Sequence, residues 1–395
     1  MYSGLTENLM NRSFFADGTA YSPQNPLIIA ELGTSHNGEL SKAKEMAQAA
    51  FESGAGCIKL QMVFADEILH PNTGEVSLPG GKIRLYDRFK QLEMEPEFYA
   101  DVKEYVESLG LLFLCTPFGL KSAKILKELK PKIVKIASPE LNYTALLREI
   151  AGWQLPVLLS TGVSKLGDIE EALAIIGNGE WGVGSGEQNN KPYSLLPTPY
   201  SLLHCVTAYP APETDYNLRV LQSLSSAFGV SVGVSDHSLD PCLVPSLAVC
   251  QGAAVIEKHF CLSREDPGLD DPIALPPHEF ALMSEAIRRA AETGAQQTLA
   301  GISSERGSSL VEAVLGDGVK TLAPSEMDNY ESTNRSIHAL RDIKPGEIIN
   351  TEDFAVLRTE KILRPGLAPS WADKICGRQA RQFIPAGEGI RFEDL

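Results

Sequence analysis

Several features that would place a chain in a specialised class are missing from this sequence. The formal net charge is −16, so the chain lacks the basic excess that binding to nucleic acid phosphates requires. No apolar run approaches the length that spans a bilayer, and the first residues lack the basic segment and apolar run of a signal peptide. These absences predict a cytoplasmic protein that binds neither nucleic acid nor membrane. A small anionic substrate in a locally basic pocket is compatible with them.

Two further absences bear on the redox compartment of the protein and on its fold class. The seven cysteines contain no C-x-x-C pair, and Cys57, Cys115 and Cys205 lie inside apolar segments. Buried free thiols in a reducing compartment fit this pattern better than disulfides. No glycine fingerprint of the dinucleotide-binding type follows the first apolar segment, which argues against a doubly wound nucleotide-binding sheet.

The sequence does contain a regular series of short apolar segments. Each ends at turn residues, as is typical of a strand that is buried on both faces. Helix-length segments separate them, and the strands are predicted at 26–31, 57–61, 111–115, 133–137, 157–160, 201–205, 231–234 and 253–256. Eight alternating βα units over roughly 270 residues predict a (β/α)8 barrel, the TIM-barrel fold, and a doubly wound open sheet is the structural alternative.

Composition and a short repeat divide the chain into four parts. After the predicted barrel the chain turns polar, with GISSERGSSL at Gly301, which predicts a linker. Beyond it IKPGE at Ile343 recurs as IPAGE at Ile384, and two such strand-turn units predict a small β-rich domain. The predicted boundaries are 1–25 for a polar N-terminal extension, 26–295 for the barrel, 296–333 for the linker and 334–395 for the C-terminal domain.

Two segments interrupt the regular spacing of the barrel units. Residues 62–95 follow the second strand and therefore belong on the C-terminal, functional face, where Lys82, Arg84 and Arg88 predict either a basic lid or a solvated loop. Residues 178–199 follow the fifth helix, on the opposite face. Their predicted role is structural.

Two of the predicted strands lead into histidines. His237 follows the strand at 231–234, and His259 follows the strand at 253–256. A crossover connection makes these strands parallel neighbours, so both imidazoles are expected at the same edge of the sheet. Such a pair suits a divalent metal ion or acid–base catalysis, whereas an isolated histidine is more often a cap or a core residue.

Every predicted strand also ends in polar residues. Lys59 and Lys135 lie inside apolar segments, where an unpaired ammonium group would be costly to bury, so each is expected to meet an anion. The hydroxyl groups of Thr116, Ser138, Ser160 and Ser235 would add donors for a carboxylate or a phosphate. The strand ends therefore predict a metal-assisted enzyme that acts on a small polyanion; the other polar residues there are Glu31, His36, Gln61, Glu140, Thr161, Thr207, Tyr209, Asp236 and Glu257.

Motifs in the same order resemble the sialic acid synthase family, which includes N-acetylneuraminate, legionaminate and pseudaminate synthases and related spore-coat polysaccharide proteins. The motifs are AELGTSHNG at Ala30, IKLQ at Ile58, TPF at Thr116, VKIASPE at Val134, LSTG at Leu159, LLHCVTAYPAP at Leu202, GVSDHS at Gly233 and EKHF at Glu257. NRSIHALRDIKPGE at Asn334 resembles the start of the family's C-terminal antifreeze-like (SAF) domain. The resemblance covers nearly the whole chain.

The resemblance implies condensation of phosphoenolpyruvate with the open-chain aldehyde of an N-acetylated amino sugar, which gives a nine-carbon 2-keto acid and phosphate. It implies that His237 and His259 bind Mn²⁺ or Mg²⁺ and that Glu31 acts in proton transfer. The implied phosphoenolpyruvate ligands are Lys59, Thr116, Lys135 and Ser138 on the carboxylate side, with Ser160 and Ser235 near the phosphate. The implied sugar contacts are Gln61, Glu140, Tyr209 and Asp270, with Arg335 at the N-acetyl group.

Departures from the family pattern leave the amino sugar open, including whether it is phosphorylated. The family usually has glycine at the position of Pro139 and asparagine at the position of Thr207, itself a predicted substrate contact. Asp270 and Asp271 also occur in an unusual context. The alternatives are another phosphoenolpyruvate-dependent aldol synthase and a catalytically silent sugar-binding relative; the presence of Glu31 with the lysines and histidines argues against the second.

The resemblance also implies a homodimer that exchanges its C-terminal domains. Such a domain would cover the charged barrel mouth and exclude water. An extended linker over 296–333 would reach on the order of 100 Å, so reach would not confine the domain to its own barrel. Arg335 is therefore expected to act on the active site of the partner chain.

Overall fold

Parallel strands surrounded by helices form the larger part of the structure, a computed structural model that describes residues 13–78, 81–177, 200–360 and 362–395. The strands, in chain order, are β1 (Phe14–Ala16), β2 (Thr19–Tyr21), β3 (Leu27–Gly33), β4 (Cys57–Met62), β5 (Glu75–Leu78), β6 (Gly81–Arg84), β7 (Leu112–Pro117), β8 (Val134–Ile136), β9 (Val157–Ser160), β10 (Tyr200–Cys205), β11 (Ser231–Asp236), β12 (Val255–His259), β13 (Arg335–Ala339) and β14 (Phe354–Arg358). The helices are α1 (Leu40–Glu52), α2 (Ala65–Ile68), α3 (Leu85–Gln91), α4 (Pro96–Ser108), α5 (Leu120–Glu128), α6 (Thr144–Ala151), α7 (Leu166–Gly177), α8 (Val220–Phe228), α9 (Leu243–Cys250), α10 (Pro277–Thr293), α11 (Ala295–Arg306), α12 (Ser308–Leu315), α13 (Tyr330–Thr333) and α14 (Ala372–Ile375).

The strand order identifies the fold. Hydrogen bonds join the strands in the order β7, β4, β3, β12, β11, β10, β9 and β8, and every pair in this sheet is parallel. The two end strands, β7 and β8, also lie side by side, so the sheet is a nearly closed barrel. Each strand lies beside its neighbours in the chain, without the reversal of a doubly wound sheet. The predicted (β/α)8 barrel is confirmed.

Alternation along the strands separates an inner core from an outer one. Leu27 and Ile29 of β3 point into the barrel, whereas Ile28 and Ala30 pack against the helices. The next inward position is Glu31, so this face of the strand changes from apolar to charged at its C-terminal end. Its register places Glu31 beside Lys59 on one side and beside His259 on the other.

The N-terminal hairpin fills the lower end of the barrel. β1 and β2 are antiparallel, and Phe14 and Ala16 are fully buried among the inward residues of the barrel strands. Part of the segment predicted as a polar extension is therefore core. A strand as short as β1, with its polar flanks, carries too little periodicity to be recognised from sequence.

Residues 296–333, predicted as a linker, are not an extended connection. α11 packs against α9 and α10, and α12 buries Val311, Val314 and Leu315. The spacing of these three residues, i, i+3 and i+4, is that of a helix with one apolar face, and the polar flanks obscured it.

The C-terminal domain is built from its internal repeat. The two copies pair through Ile343 and Ile384, which exchange backbone hydrogen bonds of 2.9 Å, and both side chains lie in the core of the domain. In each copy the side chain of an aspartate accepts a hydrogen bond from the backbone N–H of the residue three positions before it. Asp353 accepts from Asn350, and Asp394 accepts from Arg391. The domain lies over the mouth of its own barrel.

Two expectations concern parts of the chain outside these elements. The predicted structural role of 178–199 falls outside the described residues. None of the helices in the described ranges combines the length and the apolar composition needed to cross a membrane.

Phe14 offers a test of the hairpin as part of the core. Phe14→Ala should lower the free energy of unfolding by about 3 to 5 kcal/mol, the usual loss when a buried phenylalanine is truncated. Phe15, the next residue, has a 41% exposed side chain and provides the matched control, since Phe15→Ala should change stability far less. Denaturant unfolding measures both. Equal stability losses would contradict the burial of β1.

Candidate active site

A cavity of 460 Å³ lies at the C-terminal ends of the barrel strands, beneath the C-terminal domain. Twelve of the fifteen predicted site residues line it: Glu31, Lys59, Gln61, Lys135, Ser138, Ser160, Thr207, Tyr209, Ser235, His237, His259 and Asp270. Thr116 is buried but does not line the cavity, and neither do Glu140 and Arg335. The barrel thus brings together side chains from seven of its strands or the loops that follow them.

One carboxylate organises the floor of the cavity. Oε1 of Glu257 lies 3.0 Å from Nζ of Lys59 and 2.9 Å from Nζ of Lys135, and it accepts a 2.8 Å hydrogen bond from the hydroxyl of Ser235. Lys59 also contacts Glu31 at 3.0 Å. The two lysines therefore meet protein carboxylates before any ligand is present. Glu257 had no predicted role beyond its place at a strand end, although its position in an apolar strand is the same signal that identified the lysines.

Burial and these contacts shift the pKa values of Glu257 and Glu31 in opposite directions. Burial alone would raise the pKa of Glu257, but Lys135 and Lys59 together hold it well below its ordinary value. For Glu31 burial dominates, and the neighbouring Glu257 adds to it, so its pKa is raised even though Lys59 is adjacent. Glu257 is thus a fixed anion, and Glu31 is suited to hold and release a proton.

Asp270 is a second carboxyl group with a raised pKa. Burial, with a contribution from the charge of Glu31, raises the pKa of Asp270 to about 6. Its Oδ2 atom lies 3.7 Å from Nδ1 of His259. Two carboxyl groups with raised pKa values, Glu31 and Asp270, therefore face the cavity close to the histidines.

The two histidines have imidazole nitrogens suited to a metal ion. Nδ1 of His237 is 2.8 Å from the carbonyl oxygen of Val206, which can only accept, so in the neutral ring the proton is on Nδ1 and the lone pair is on Nε2. Burial and the neighbouring His237 hold the pKa of His259 well below its ordinary value, so this ring is neutral. Burial would lower the pKa of His237, but its contact with Cys205 raises it. The ring centroids are 5.5 Å apart.

Neighbouring groups fix the orientation of His237. Its backbone N–H donates to the hydroxyl of Tyr216 at 2.6 Å, and its ring stacks on Tyr209 at 4.2 Å. Within the described ranges no cluster of three or more histidine, cysteine, aspartate or glutamate side chains is arranged to hold a metal. The pair fits an ion whose remaining ligands come from substrate and water.

Several buried hydroxyl groups in this region lack a protein partner. Among the described residues, Oγ of Ser160 and Oγ1 of Thr207 and Thr116 make no hydrogen bond. Buried polar atoms are usually satisfied, so unpartnered ones beside a cavity indicate positions for ligand or water atoms. Ser138 differs, since its oxygen already accepts a 3.0 Å hydrogen bond from the backbone of Gly162.

Arg335 attaches the C-terminal domain to the barrel and does not line the cavity. Its guanidinium is fully buried, donates to Oε1 of Glu140 at 2.7 and 3.0 Å, and also donates to the carbonyl oxygens of Phe118 and Glu67. Neither Arg335 nor Glu140 lines the cavity, and their contact with the sugar stays a prediction. They bind each other between the domain and the barrel.

The arginine that does line the cavity is Arg358. The antiparallel register of β13 and β14 places it directly opposite Arg335, and it shares Glu140 at 2.9 Å. Its Nε is buried and makes no hydrogen bond within the described structure. No sequence signal distinguished the two arginines, because the choice depends on strand register.

Residues 62–95 contribute apolar groups to the cavity instead of basic ones. Arg84 binds Asp87, and Arg88 binds the side-chain oxygen of Asn37 at 2.7 Å. The residues of this segment that line the cavity are Val63, Ile68, Leu85 and Phe89. None of the three basic residues that predict a lid lines the cavity, which favours the solvated loop, the other predicted alternative.

Comparison with known proteins agrees with the architecture. The sequence matches the NeuB family over residues 46–298 and the SAF domain over residues 334–395. It is 33% identical to N,N'-diacetyllegionaminic acid synthase of Legionella pneumophila over 93% of this chain and 94% of that protein. It is 30% identical to a pseudaminic acid synthase of Campylobacter jejuni over 96% and 99% of the two chains. The crystal structure of the spore coat polysaccharide biosynthesis protein spsE from Bacillus subtilis superimposes with a TM-score of 0.76 at 30% identity, covering 97% of this chain and 98% of that one.

The charge cluster predicts a large effect from removing the Glu257 charge. Glu257→Gln leaves two buried ammonium groups with half of their counter-charge and should destabilise the fold by about 3 to 5 kcal/mol. The control is Glu149→Gln, which alters the pair between Glu149 and the 55% exposed Lys127 and should change stability by less than about 1 kcal/mol. Both values come from denaturant unfolding. A Glu257→Gln protein as stable as the wild type would contradict this account of the cluster.

Proposed function

This chain belongs to the NeuB family, and we propose that it condenses phosphoenolpyruvate with the open-chain aldehyde of an N-acetylated amino sugar, giving a nine-carbon 2-keto acid and phosphate. The observation that carries the proposal is the juxtaposition of Lys59 and Lys135 with unpartnered hydroxyl groups and a pair of imidazoles in one cavity. Relatives named as legionaminic and pseudaminic acid synthases support the same class of reaction.

Phosphoenolpyruvate would occupy the floor. Lys59, Lys135 and Ser138 would hold its carboxylate, with Thr116 behind them, while Ser160 and Ser235 would lie near its phosphate. The positive charges of the two lysines are already balanced by Glu31 and Glu257. Much of the binding energy for phosphoenolpyruvate must therefore come from the preformed arrangement of hydrogen-bond donors and from positive charge other than that of the lysines. A preorganised site of this kind loses little energy on reorganisation when the ligand arrives.

His237 and His259 would hold a divalent ion, Mn²⁺ or Mg²⁺, which supplies Lewis-acid polarisation of the aldehyde oxygen when bound. The chain's own groups would carry the proton chemistry. Water must attack the cation that develops at C2 of phosphoenolpyruvate, which requires a positioned base. Glu31, held by the amide of Gln61 at 2.7 Å, has the raised pKa that this role needs.

The acceptor sugar would lie between the floor and the C-terminal domain. Tyr209 would provide a flat wall, since its ring stacks on His237 and 46% of its surface is exposed. Gln61, Thr207 and Asp270 would offer polar contacts, and Arg358 would take the place predicted for Arg335 as the contact from the C-terminal domain. Its unpartnered Nε is a donor suited to an acetamido carbonyl or another acceptor oxygen.

The reaction is tested by supplying phosphoenolpyruvate with a panel of N-acetylated amino sugars, together with sugars that lack nitrogen, and following phosphate release. We expect turnover with at least one sugar and loss of turnover in excess chelator. His237→Ala and His259→Ala should each abolish turnover and weaken Mn²⁺ binding in calorimetry. Full activity in chelator would reject the metal, and turnover only with a sugar lacking nitrogen would favour another aldol synthase.

The roles of the two arginines make a second test. Arg358→Ala should raise the KM for the acceptor by about ten- to a hundredfold, as expected for one lost charge-assisted hydrogen bond, and should leave the KM for phosphoenolpyruvate nearly unchanged. Arg335→Ala should instead lower thermal stability, because it leaves Glu140 with fewer donors. Equal effects of both variants on the acceptor KM would contradict this division.

We propose also that two chains form a homodimer with exchanged C-terminal domains, as the family resemblance implies. The contacts that Arg335 and Arg358 make with Glu140 within one chain would then be made between the two chains. Mixed dimers of Lys59→Ala and Arg358→Ala chains, assayed at an acceptor concentration far below the raised KM of the Arg358→Ala variant, where both parent variants have little activity, would decide the matter. With exchange, one site pairs an intact barrel with an intact C-terminal domain and recovers activity. Without exchange every site keeps one defect, so verified mixed dimers that stay inactive would show that each domain serves its own barrel.

A further inference from the structure

The segment before the C-terminal domain binds two loops at the mouth of the barrel. Glu326 is 1% exposed, and its Oε2 atom accepts hydrogen bonds from the backbone N–H of Val163 at 3.0 Å and of Thr207 at 2.8 Å. Its Oε1 atom accepts one from the N–H of Ala323 at 3.2 Å. One buried carboxylate thus joins the loops that follow β9 and β10.

Two asparagines complete this attachment. The side-chain amide of Asn334 donates to the carbonyl oxygen of Val163 at 2.8 Å, and that of Asn329 donates to the carbonyl oxygen of Thr207 at 2.9 Å. Both polar backbone groups of each loop residue are therefore bound by the same segment. We call Glu326, Asn329 and Asn334 the clasp.

The loops need external support at these positions. Val163 has a φ of 42°, a left-handed conformation that β-branched residues rarely adopt and that persists only when the surroundings impose it. The N–H groups of both loop residues also lack a partner from the barrel ladder, so removing the carboxylate would leave buried donors unsatisfied.

Asn329 of the clasp lines the cavity, and Glu326 lies one contact away from it. Gly162, next to Val163, donates its N–H to Oγ of Ser138 at 3.0 Å, and a Cβ atom added to Gly162 would meet Oγ1 of Thr207 at 2.2 Å. Ser138 and Thr207 both line the cavity. A shift of either loop would therefore displace these two hydroxyl groups relative to the lysines.

We propose that Glu326 is a positioning residue, which sets the hydroxyl groups of Ser138 and Thr207 and couples the attachment of the C-terminal domain to the phosphoenolpyruvate side of the cavity. The clasp ends at Asn334, and Arg335, which attaches that domain to the barrel, is the next residue. A movement of the domain would thus reach the two loops through hydrogen bonds of the buried Glu326 and of the partly buried Asn329 and Asn334. The identity of the ligand rests on the proposed function.

Glu326→Gln tests the proposal with little change in shape. A carboxamide cannot accept at both ends, so either the two loop N–H groups or that of Ala323 would face an NH₂ group. We expect the dissociation constant for phosphoenolpyruvate, measured by calorimetry, to rise by about ten- to a hundredfold, the equivalent of one lost charge-assisted hydrogen bond. The KM for the acceptor should rise as well, because Thr207 is among the proposed acceptor contacts.

Asp353→Asn is the matched control. Asp353 is also buried and accepts a backbone hydrogen bond, from Asn350 at 2.8 Å, but it lies in the C-terminal domain away from the cavity. This variant should lose stability and keep its affinity for phosphoenolpyruvate. If Glu326→Gln is folded and binds as tightly as the wild type, or if Asp353→Asn weakens binding equally, Glu326 is only a structural anchor.

Amide hydrogen exchange separates this inference from the proposed function. Exchange at Val163 and Thr207 should become faster in Glu326→Gln and stay unchanged in Asp353→Asn, whichever ligand the cavity takes. A wild-type protein that fails to bind phosphoenolpyruvate would overturn the proposed function alone. Unchanged exchange at both loop amides in Glu326→Gln would overturn the positioning role.

Discussion

The interaction on which the site depends is the carboxylate of Glu257 with its three donors. Two ammonium groups and a hydroxyl converge on one oxygen at the end of an otherwise apolar barrel interior. Burying a lone ion is expensive, so the lysines can be placed there only if the barrel supplies their counter-charges. The result is a floor that is charged, rigid and electrically balanced before any ligand binds, and the acid–base groups and histidines are arranged around it.

Much of the barrel and its site could be predicted because the signals are local. An apolar run that ends in a polar residue specifies both a strand and the side chain at its end, and this was enough to find Lys59, His237 and His259. The partners of these groups could not be predicted so directly. A buried lysine signals that an anion is near, but whether the anion is Glu257 or a substrate depends on which strands become neighbours.

The features that could not be predicted from the sequence have a common physical cause. The choice between Arg335 and Arg358 depends on the register of two strands, and in a ladder both arginines project toward the same carboxylate. Residues 296–333 have a polar composition, so the helical spacing of Val311, Val314 and Leu315 was hidden by their flanks. The clasp was missed for the same reason, since buried polar residues in a polar segment look solvated in sequence.

The hairpin at the lower end of the barrel has a consequence for the order of events. Phe14 fills the barrel from below, so reactants approach the floor from the mouth, which the C-terminal domain covers. Lys59 and Lys135, assigned to phosphoenolpyruvate, belong to the strands themselves, whereas Tyr209 and Asp270, assigned to the sugar, follow the ends of their strands. A sugar that bound first would block the access of phosphoenolpyruvate to the floor of the cavity. We therefore expect compulsory-order kinetics, in which phosphoenolpyruvate binds first and the sugar binds second and closes access to it. Initial rates that fit a random order of binding would contradict this geometry.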